Sequence, residues 1–485
     1  MSQLITIEDL IKIDENTYEI PASYRSDMRV PARVFMNQAM YEDIKGDRSL
    51  EQLVNVATLP GIQKYAFAMP DVHQGYGFPI GGVAAFAIEE GGIISPGGLG
   101  YDINCGIRLL DVQMTRSEIK PYLDKLATRI FHKVPSGVGK GGNLDFKSHD
   151  LDRILSHGAH QMVKIGFGNE SDIENCEENG RMDFADPELI SEHAKKRGAD
   201  QIGTLGSGNH FLEIQYVDQI YDEKVAQAFG LFKDQVTIMI HCGSRGLGHQ
   251  VCTDYLRIMM GKVSQWGIEL PDRELVYAPF KSPEAQNYFC AMAAAANFAW
   301  ANRHMIGHWV REAFQEVISP KMQIRTMYDV SHNIGKIEKH EIDGVIKEVI
   351  MHRKGATRAF APGRPEVPAQ YRDVGQPVLI PGTMGTASYV LVGTQESMGI
   401  AFGSTCHGAG RRLSRAAAKK QVRGSQLRNE LEDQGIIIRS NSDPGLAEEA
   451  PLAYKDIDNV ISVVQGAGLA NKVVRLRPLA VIKGD

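Results

Sequence analysis

Glycine is not spread evenly along these 485 residues. It gathers in segments that also carry His, Asp, Asn or Cys or, in one case, only hydroxyl side chains. These are MPDVHQGYGFPIGG from Met69, SPGGLGYDINCG from Ser95, GTLGSGNHFLE from Gly203, HCGSRGLGH from His241, SHNIG from Ser331, PGTMGTASY from Pro381 and STCHGAGRR from Ser404. Glycine admits positive φ and lets backbone approach a ligand closely, at a conformational-entropy cost. One such segment would be a turn. Seven, each with a ligand-capable residue or a hydroxyl beside it, predict loops gathered around one polar site.

Between these loops, short apolar runs alternate irregularly with helical patterns. Strands are expected at Gly82–Ile88, Gly106–Val112, Val236–His241, Gln323–Val330, Lys347–His352, Ser388–Val392 and Lys472–Ile482, with a hairpin turn at Asp343-Gly344. Helices are expected at Arg116–His132, Pro187–Arg197, Leu247–Gly261, Pro283 to about Val317, and Gly410–Lys420. No G-x-G-x-x-G unit follows a strand and no P-loop is present, which argues against a doubly wound nucleotide fold. No stretch reads as a flexible linker, and Phe360–Gly385 reads as a packed functional loop. The expectation is α+β: one domain over residues 1–485, with central β-sheets flanked by helices around a deep cleft.

The 43% apolar content suffices for a large core, and a net charge of −6 excludes a generally basic nucleic-acid coat. Any RNA contact must come from a local basic face. The opening MSQLITIEDLIKIDEN has acids within its apolar stretch and no basic region, unlike a secretory signal. The Ala-rich stretch Cys290–Ala301 continues into Arg303, His304 and Arg311, so it reads as a buried helix rather than a membrane span. Six scattered cysteines without a C-x-x-C pair predict reduced thiols and a cytoplasmic protein.

Asp102, Cys105, His210, His241 and His332 each fall at a strand–loop boundary. Carboxylate, thiolate and imidazole together suit a borderline cation such as Zn²⁺, Mn²⁺ or Co²⁺. Each residue also has a plain alternative: a buried cysteine beside an Asp turn cap, or a histidine ending a strand. The five are spread from 102 to 332, and spacing alone does not bring them together. His407, in STCHGAGRR, precedes a predicted helix start whose free N–H groups would suit a phosphate. From Arg411 to Arg428 the basic residues 411, 412, 415, 419, 420, 423 and 428 occur without an acid, a pattern that suits a polyanion. A second basic cluster runs from His352 to Arg358.

Read in order, these segments resemble the RtcB RNA-splicing ligase family. MPDVHQGYGFPIGG, GGLGYDINCG, GNHFLE, HCGSRGLGH, HRKGATRAF, PGTMGTASYVL and TCHGAGR carry the resemblance, which extends from Pro31-Ala32-Arg33-Val34 to Val481-Ile482-Lys483-Gly484. It implies GTP- and Mn²⁺-dependent joining of RNA 3′-phosphate or 2′,3′-cyclic phosphate ends to 5′-hydroxyl ends, in tRNA splicing or RNA repair. By this resemblance Cys105 bridges two metal ions, Asp102 and His210 complete one ligand set, and His241 and His332 complete the other. His407 takes GMP, and Asp71 orients it. The nucleotide pocket draws on Asn209, His210, Phe211, Leu212, Glu213, His332, Asn333, Pro381, Gly382, Thr383, Met384, Ser388, His407, Gly408, Ala409, Gly410 and Lys483, with Glu213 and Lys483 facing guanine. Thr383 stands where some relatives have serine, which keeps the hydroxyl. The implied partners are RNA ends and a small activator, archease, with no membrane.

Two other readings use the same residues. A dinuclear metal-dependent phosphodiesterase acting on RNA ends would need the five metal-type residues but neither His407 nor guanine. An RNA-binding scaffold with a structural metal would need no turnover at all.

Overall fold

Two large sheets and one long buried helix set the architecture. The computed structural model describes residues 4–137, 139, 141–144 and 146–484; residues 1–3 of the N-terminal stretch read above lie outside the described residues. One sheet has strands in the order Ile11–Lys12, Thr17–Ile20, Ala32–Phe35, Ala66–His73, Ile80–Ala87, Val345–Lys354, Asn333–Ile342. The other runs Ile324–Ser331, Gly106–Thr115, Gln235–Cys242, Phe211–Ile220, Ala470–Lys483, Ser388–Gly393, Pro377–Ile380, with Ile437–Arg439 alongside Ala470–Lys483. Pairing is antiparallel in both, apart from Ala32–Phe35 with Ala66–His73 and Ile437–Arg439 with Ala470–Lys483. The fold is α+β, as the sequence predicts.

Register explains why distant residues meet. Phe211 pairs with His241, Gly106 pairs with both Cys242 and Ser331, and Lys483 pairs with Phe211. The ends of five strands therefore coincide, and the residues at or just beyond them (Cys105, His210, His241, His332 and Lys483) arrive together. His332 is also the junction between sheets, since Ile324–Ser331 belongs to one and Asn333–Ile342 to the other. The expected hairpin is present: Ile342 pairs with Val345 across Asp343 (φ 52°) and Gly344 (φ 79°), the two positive φ values of a tight two-residue turn.

The helix Pro283–Val317 has the predicted bounds, starts on a Ser282 cap and is buried along Ala291–Gly307. Small alanine side chains let neighbouring elements come close, and Arg303 from this helix anchors the site. Its guanidinium donates to Asp329 (2.7 Å), to the carbonyls of Asn104 (2.6 Å) and Cys242 (2.9 Å), and to Asn104 Oδ1 (3.2 Å). Arg108 donates to the same Asp329 at 2.8 Å, and all three charged side chains are fully buried. The pair of guanidiniums overcomes burial and keeps the Asp329 carboxyl below its usual range. The backbone next to Cys105 and His241 thus hangs on a buried ionic knot.

Three helical expectations need correction. Arg116–His132 is broken at Pro121 into Arg116–Ile119 and Leu123–Lys133, because proline lacks the N–H a continuous helix needs there. Pro187–Arg197 resolves into a turn, Pro187–Leu189, and a helix Glu192–Gly198 capped by Ser191. Gly410–Lys420 is helical only from Arg415, where Ser414 accepts from Ala417 N (3.2 Å). Residues 410–414 instead turn back, and Arg411 bridges to Tyr454.

Candidate functional site

A cavity of about 510 Å³ opens where the strand ends meet. Asp102, Cys105 and His210 bring one ligand atom each within 4.8 Å of one another, and so do Cys105, His241 and His332. Cys105 belongs to both groups. Its Sγ lies 3.4 Å from His210 Nε2 and 3.2 Å from His241 Nε2, while His241 Nε2 lies 3.2 Å from His332 Nε2. Gly243 makes room for this: a side chain there would strike the Asp102 carboxylate.

Burial, with neighbouring histidines adding to it, drives His241 and His332 well below the usual imidazole range, so both rings are neutral. Their Nδ1 atoms are buried without a hydrogen-bond partner. Burial and the Asp102 carboxylate push the Cys105 thiol up to about 12. Burial also works against a charged Asp102, but His210, 2.7 Å away, wins and brings it down to about 2. The Nε2 atoms of His241 and His332 thus face each other, and that of His241 also faces the Cys105 sulfur. The donor set of one oxygen, one sulfur and three nitrogens fits borderline divalent cations.

His407 stands beside this group, its ring 4.8 Å from that of His332. It follows the strand Ser404–Cys406, which pairs with Ala356–Arg358. Asp71 comes from Ala66–His73 in the other sheet and is completely buried. Its Oδ2 lies 2.5 Å from His407 Nδ1 and accepts from His407 N at 3.0 Å. The chain can pass so close only because position 410 is glycine: φ is 74°, and a side chain would collide with the Asp71 carbonyl.

Most of the expected nucleotide residues line the same cavity: Asn209, Phe211, Glu213, His332 and Asn333, Pro381 through Met384, His407 through Gly410, and Lys483. Leu212 does not. Strand alternation turns it into the hydrophobic core. Ser388 lies behind the wall, where its Oγ accepts from Gly382 N and Gln215 Nε2 (both 3.1 Å). His210 belongs to the metal-type group. Burial, opposed by Gln215 (2.7 Å) and Lys483, pushes the Glu213 carboxyl up to about 7. Lys483 donates to Gly208 O at 2.5 Å, and burial lowers its ammonium.

The basic clusters differ from expectation. Among the seven cations from Arg411 to Arg428, Arg411 and Arg415 pair with Glu449, Arg412 with Asp43, Lys419 with Glu448 and Arg428 with Asp443. Acids distant in sequence neutralise most of the run. His352 to Arg358 forms no exposed face either: Arg353 is buried on Glu338, and Arg358 on Glu177 and Glu178. Lys354 donates to the carbonyls of Tyr76 and Phe78 (both 2.8 Å).

Sequence reading missed Lys455. Its buried ammonium donates to the carbonyls on either side of Asp71, those of Pro70 (3.1 Å) and Val72 (2.5 Å), and its backbone N–H donates to Gly410 O (2.9 Å). PLAYKDIDN contains no glycine and no local sign of this role.

A histidine fixed by a buried carboxylate thus stands in one cavity with Asp102, Cys105, His241 and His332, residues of two groups that could hold metal ions, which is an enzyme-like arrangement. The model of the family "tRNA-splicing ligase RtcB" matches residues 52–484. A protein named tRNA-splicing ligase RtcB from Thermococcus kodakarensis is 58% identical over 478 residues, covering 98% of this chain and 99% of its own. Proteins of the same name from Archaeoglobus fulgidus and Methanococcus maripaludis are 54% and 51% identical, again over 98% of this chain and 99% of theirs. The chain belongs to the RtcB family. Among the described residues, no helix is long and apolar enough to cross a membrane.

Proposed function

We propose that this chain is an RNA ligase that joins 3′-phosphate or 2′,3′-cyclic phosphate ends to 5′-hydroxyl ends, using GTP and two Mn²⁺ ions, with residues 1–485 acting as one catalytic domain. The observation that carries this reading is the place of His407: fixed by buried Asp71, it shares a cavity with the metal-type residues Asp102, Cys105, His241 and His332 and with Glu213 and Lys483. The relatives' name, tRNA-splicing ligase, supports RNA as the substrate.

Asp71 holds the proton at Nδ1 of His407 and leaves the Nε2 lone pair free. Nε2 attacks the α-phosphorus of GTP; a P–N bond forms as the bond to pyrophosphate breaks. An oxygen of the RNA 3′-phosphate then attacks that phosphorus and frees His407, leaving the RNA end activated by GMP. The 5′-hydroxyl attacks the RNA phosphorus and GMP departs. A cyclic phosphate is first opened by water to the 3′-phosphate. When bound, the cations neutralise phosphoryl oxygens and lower the pKa of an incoming hydroxyl. Asp102, Cys105 and His210 would hold one, and Cys105, His241 and His332 the other. Glu213 accepts from the guanine edge in its ionised form, which Lys483 favours against burial.

RNA ends are the partner, with archease as the expected activator, and six free cysteines suit a reducing cytoplasm. The test incubates a 3′-phosphate RNA and a 5′-hydroxyl RNA with the protein, Mn²⁺ and GTP. Joined product that requires GTP supports the ligase. End hydrolysis that is independent of GTP, with no joining, would mean a phosphodiesterase instead.

A further inference from the structure

Three rings at the rim of the cavity have no role in the chemistry above. Tyr76 and Tyr101 meet edge to face, with centroids 5.5 Å apart and planes at 72°. Tyr101 and His249 stack, with centroids 4.8 Å apart and planes at 30°. All three line the same cavity as Asp102, Cys105 and His407. His249 is exposed, and the two tyrosines are half-buried.

Neither tyrosine belongs to a hydrophobic cluster among the described residues, so core packing does not account for them. Each ring is nevertheless fixed by a rigid support. Lys354 pins the Tyr76 carbonyl, Tyr101 directly precedes Asp102, and His249 sits on the helix Arg245–Met260 that begins just after the His241 strand. The middle ring of the row, Tyr101, is therefore one residue from a metal-type ligand. The Glu213–Lys483 pair, which serves guanine in the reading above, lies on other elements, the strands Phe211–Ile220 and Ala470–Lys483.

Resting on the ligase reading, we infer that Tyr76, Tyr101 and His249 form a stacking subsite for the terminal nucleobase of an RNA end. A single-stranded end presents an unstacked base, and aromatic side chains capture such bases through their faces without reading sequence. A platform beside the metal-type group would hold the last nucleotide while its phosphate or hydroxyl reaches the reacting centre. It would also favour single-stranded ends over paired ones, because a base in a duplex has no free face.

The test combines His249→Ala and Tyr101→Leu, singly and together, with RNA ends that carry or lack the terminal base. One arm removes the base from the 3′-phosphate end and the other from the 5′-hydroxyl end, which identifies the end that is held. For that end, loss of the rings raises the RNA KM roughly ten- to hundredfold, the range expected for one stacked base. An abasic end costs the unaltered enzyme about as much and costs the double variant almost nothing further. Tyr101→Phe keeps the ring and retains a near-normal KM, which separates stacking from a folding defect. Independent, multiplying losses in both arms would overturn the proposal. A binding readout needs no turnover: 2-aminopurine at the held terminus is quenched by the unaltered protein and much less by the double variant. Equal quenching would overturn the subsite even if the protein ligated nothing, whereas failure to ligate with quenching intact would count against the ligase reading alone.

Discussion

Asp71 Oδ2 lies 2.5 Å from Nδ1 of His407 and accepts its backbone N–H at 3.0 Å, so one carboxylate oxygen fixes both ring and main chain of the proposed nucleophile. Asp71 is completely buried and comes from a different sheet. Asp71→Asn keeps the volume but puts a neutral amide opposite Nδ1 and weakens the tautomer preference. Guanylylation of the protein should slow by on the order of 10²–10⁴, while GTP affinity changes little. Single-turnover transfer from labelled GTP measures this; a rate within a few-fold of normal would remove Asp71 from the mechanism.

Cys105 is the one residue common to both metal-type groups. Cys105→Ser should therefore empty both positions, while His332→Ala should weaken only one. Metal analysis after equilibration with Mn²⁺ and gel filtration measures the difference. Retention of the normal metal content by Cys105→Ser would contradict a shared ligand.

Glu213 sets a pH dependence. Burial, opposed by Gln215 and Lys483, places its carboxyl at about 7, and a guanine edge needs the ionised form to accept its N–H groups. Below pH 7 the empty pocket holds the acid, so KM for GTP should rise about tenfold per pH unit and level off above 7. Stability has the opposite sign: the folded value lies above the ordinary one, so the protonated group's contribution is complete at low pH and is lost as pH rises through 7. Glu213→Gln should flatten the KM profile. An unchanged slope in that variant would place the titration elsewhere.

Lys455 acts through Asp71. Its ammonium joins the Pro70 and Val72 carbonyls, and its backbone ties in Gly410 on the far side of His407. Lys455→Met would leave two buried carbonyls without a donor, at about 1–3 kcal/mol each. Guanylylation should slow more than the sealing of RNA already activated with GMP, because sealing does not use His407. Equal slowing of both steps would reduce Lys455 to a general structural role.

Much of this was legible in the chain. The strand runs near Gly106, Val236, Gln323 and Lys472 are long and β-rich, and Ser282-Pro283 caps the long helix in the expected way. The glycine segments pointed to a common site because glycine is needed where backbones nearly touch, as Gly410 does with Asp71. Register was not legible: that Gly106 pairs with both Cys242 and Ser331 follows from pairing across the whole chain. The basic run from Arg411 suggested a polyanion surface because its neutralising acids, Glu448 and Glu449, lie downstream of the run. Arg303 and Lys455 left no local trace, since each acts on backbone carbonyls contributed by remote segments.

The central claim is a covalent bond from His407 to GMP, and its most direct test is protein labelling from GTP carrying label at the α-phosphate, with Mn²⁺ and no RNA. The account predicts one label per chain, stable to alkali, released by acid, absent from His407→Ala and discharged when a 3′-phosphate RNA is added. Normal labelling of His407→Ala, or RNA joining by that variant with GTP, would contradict it.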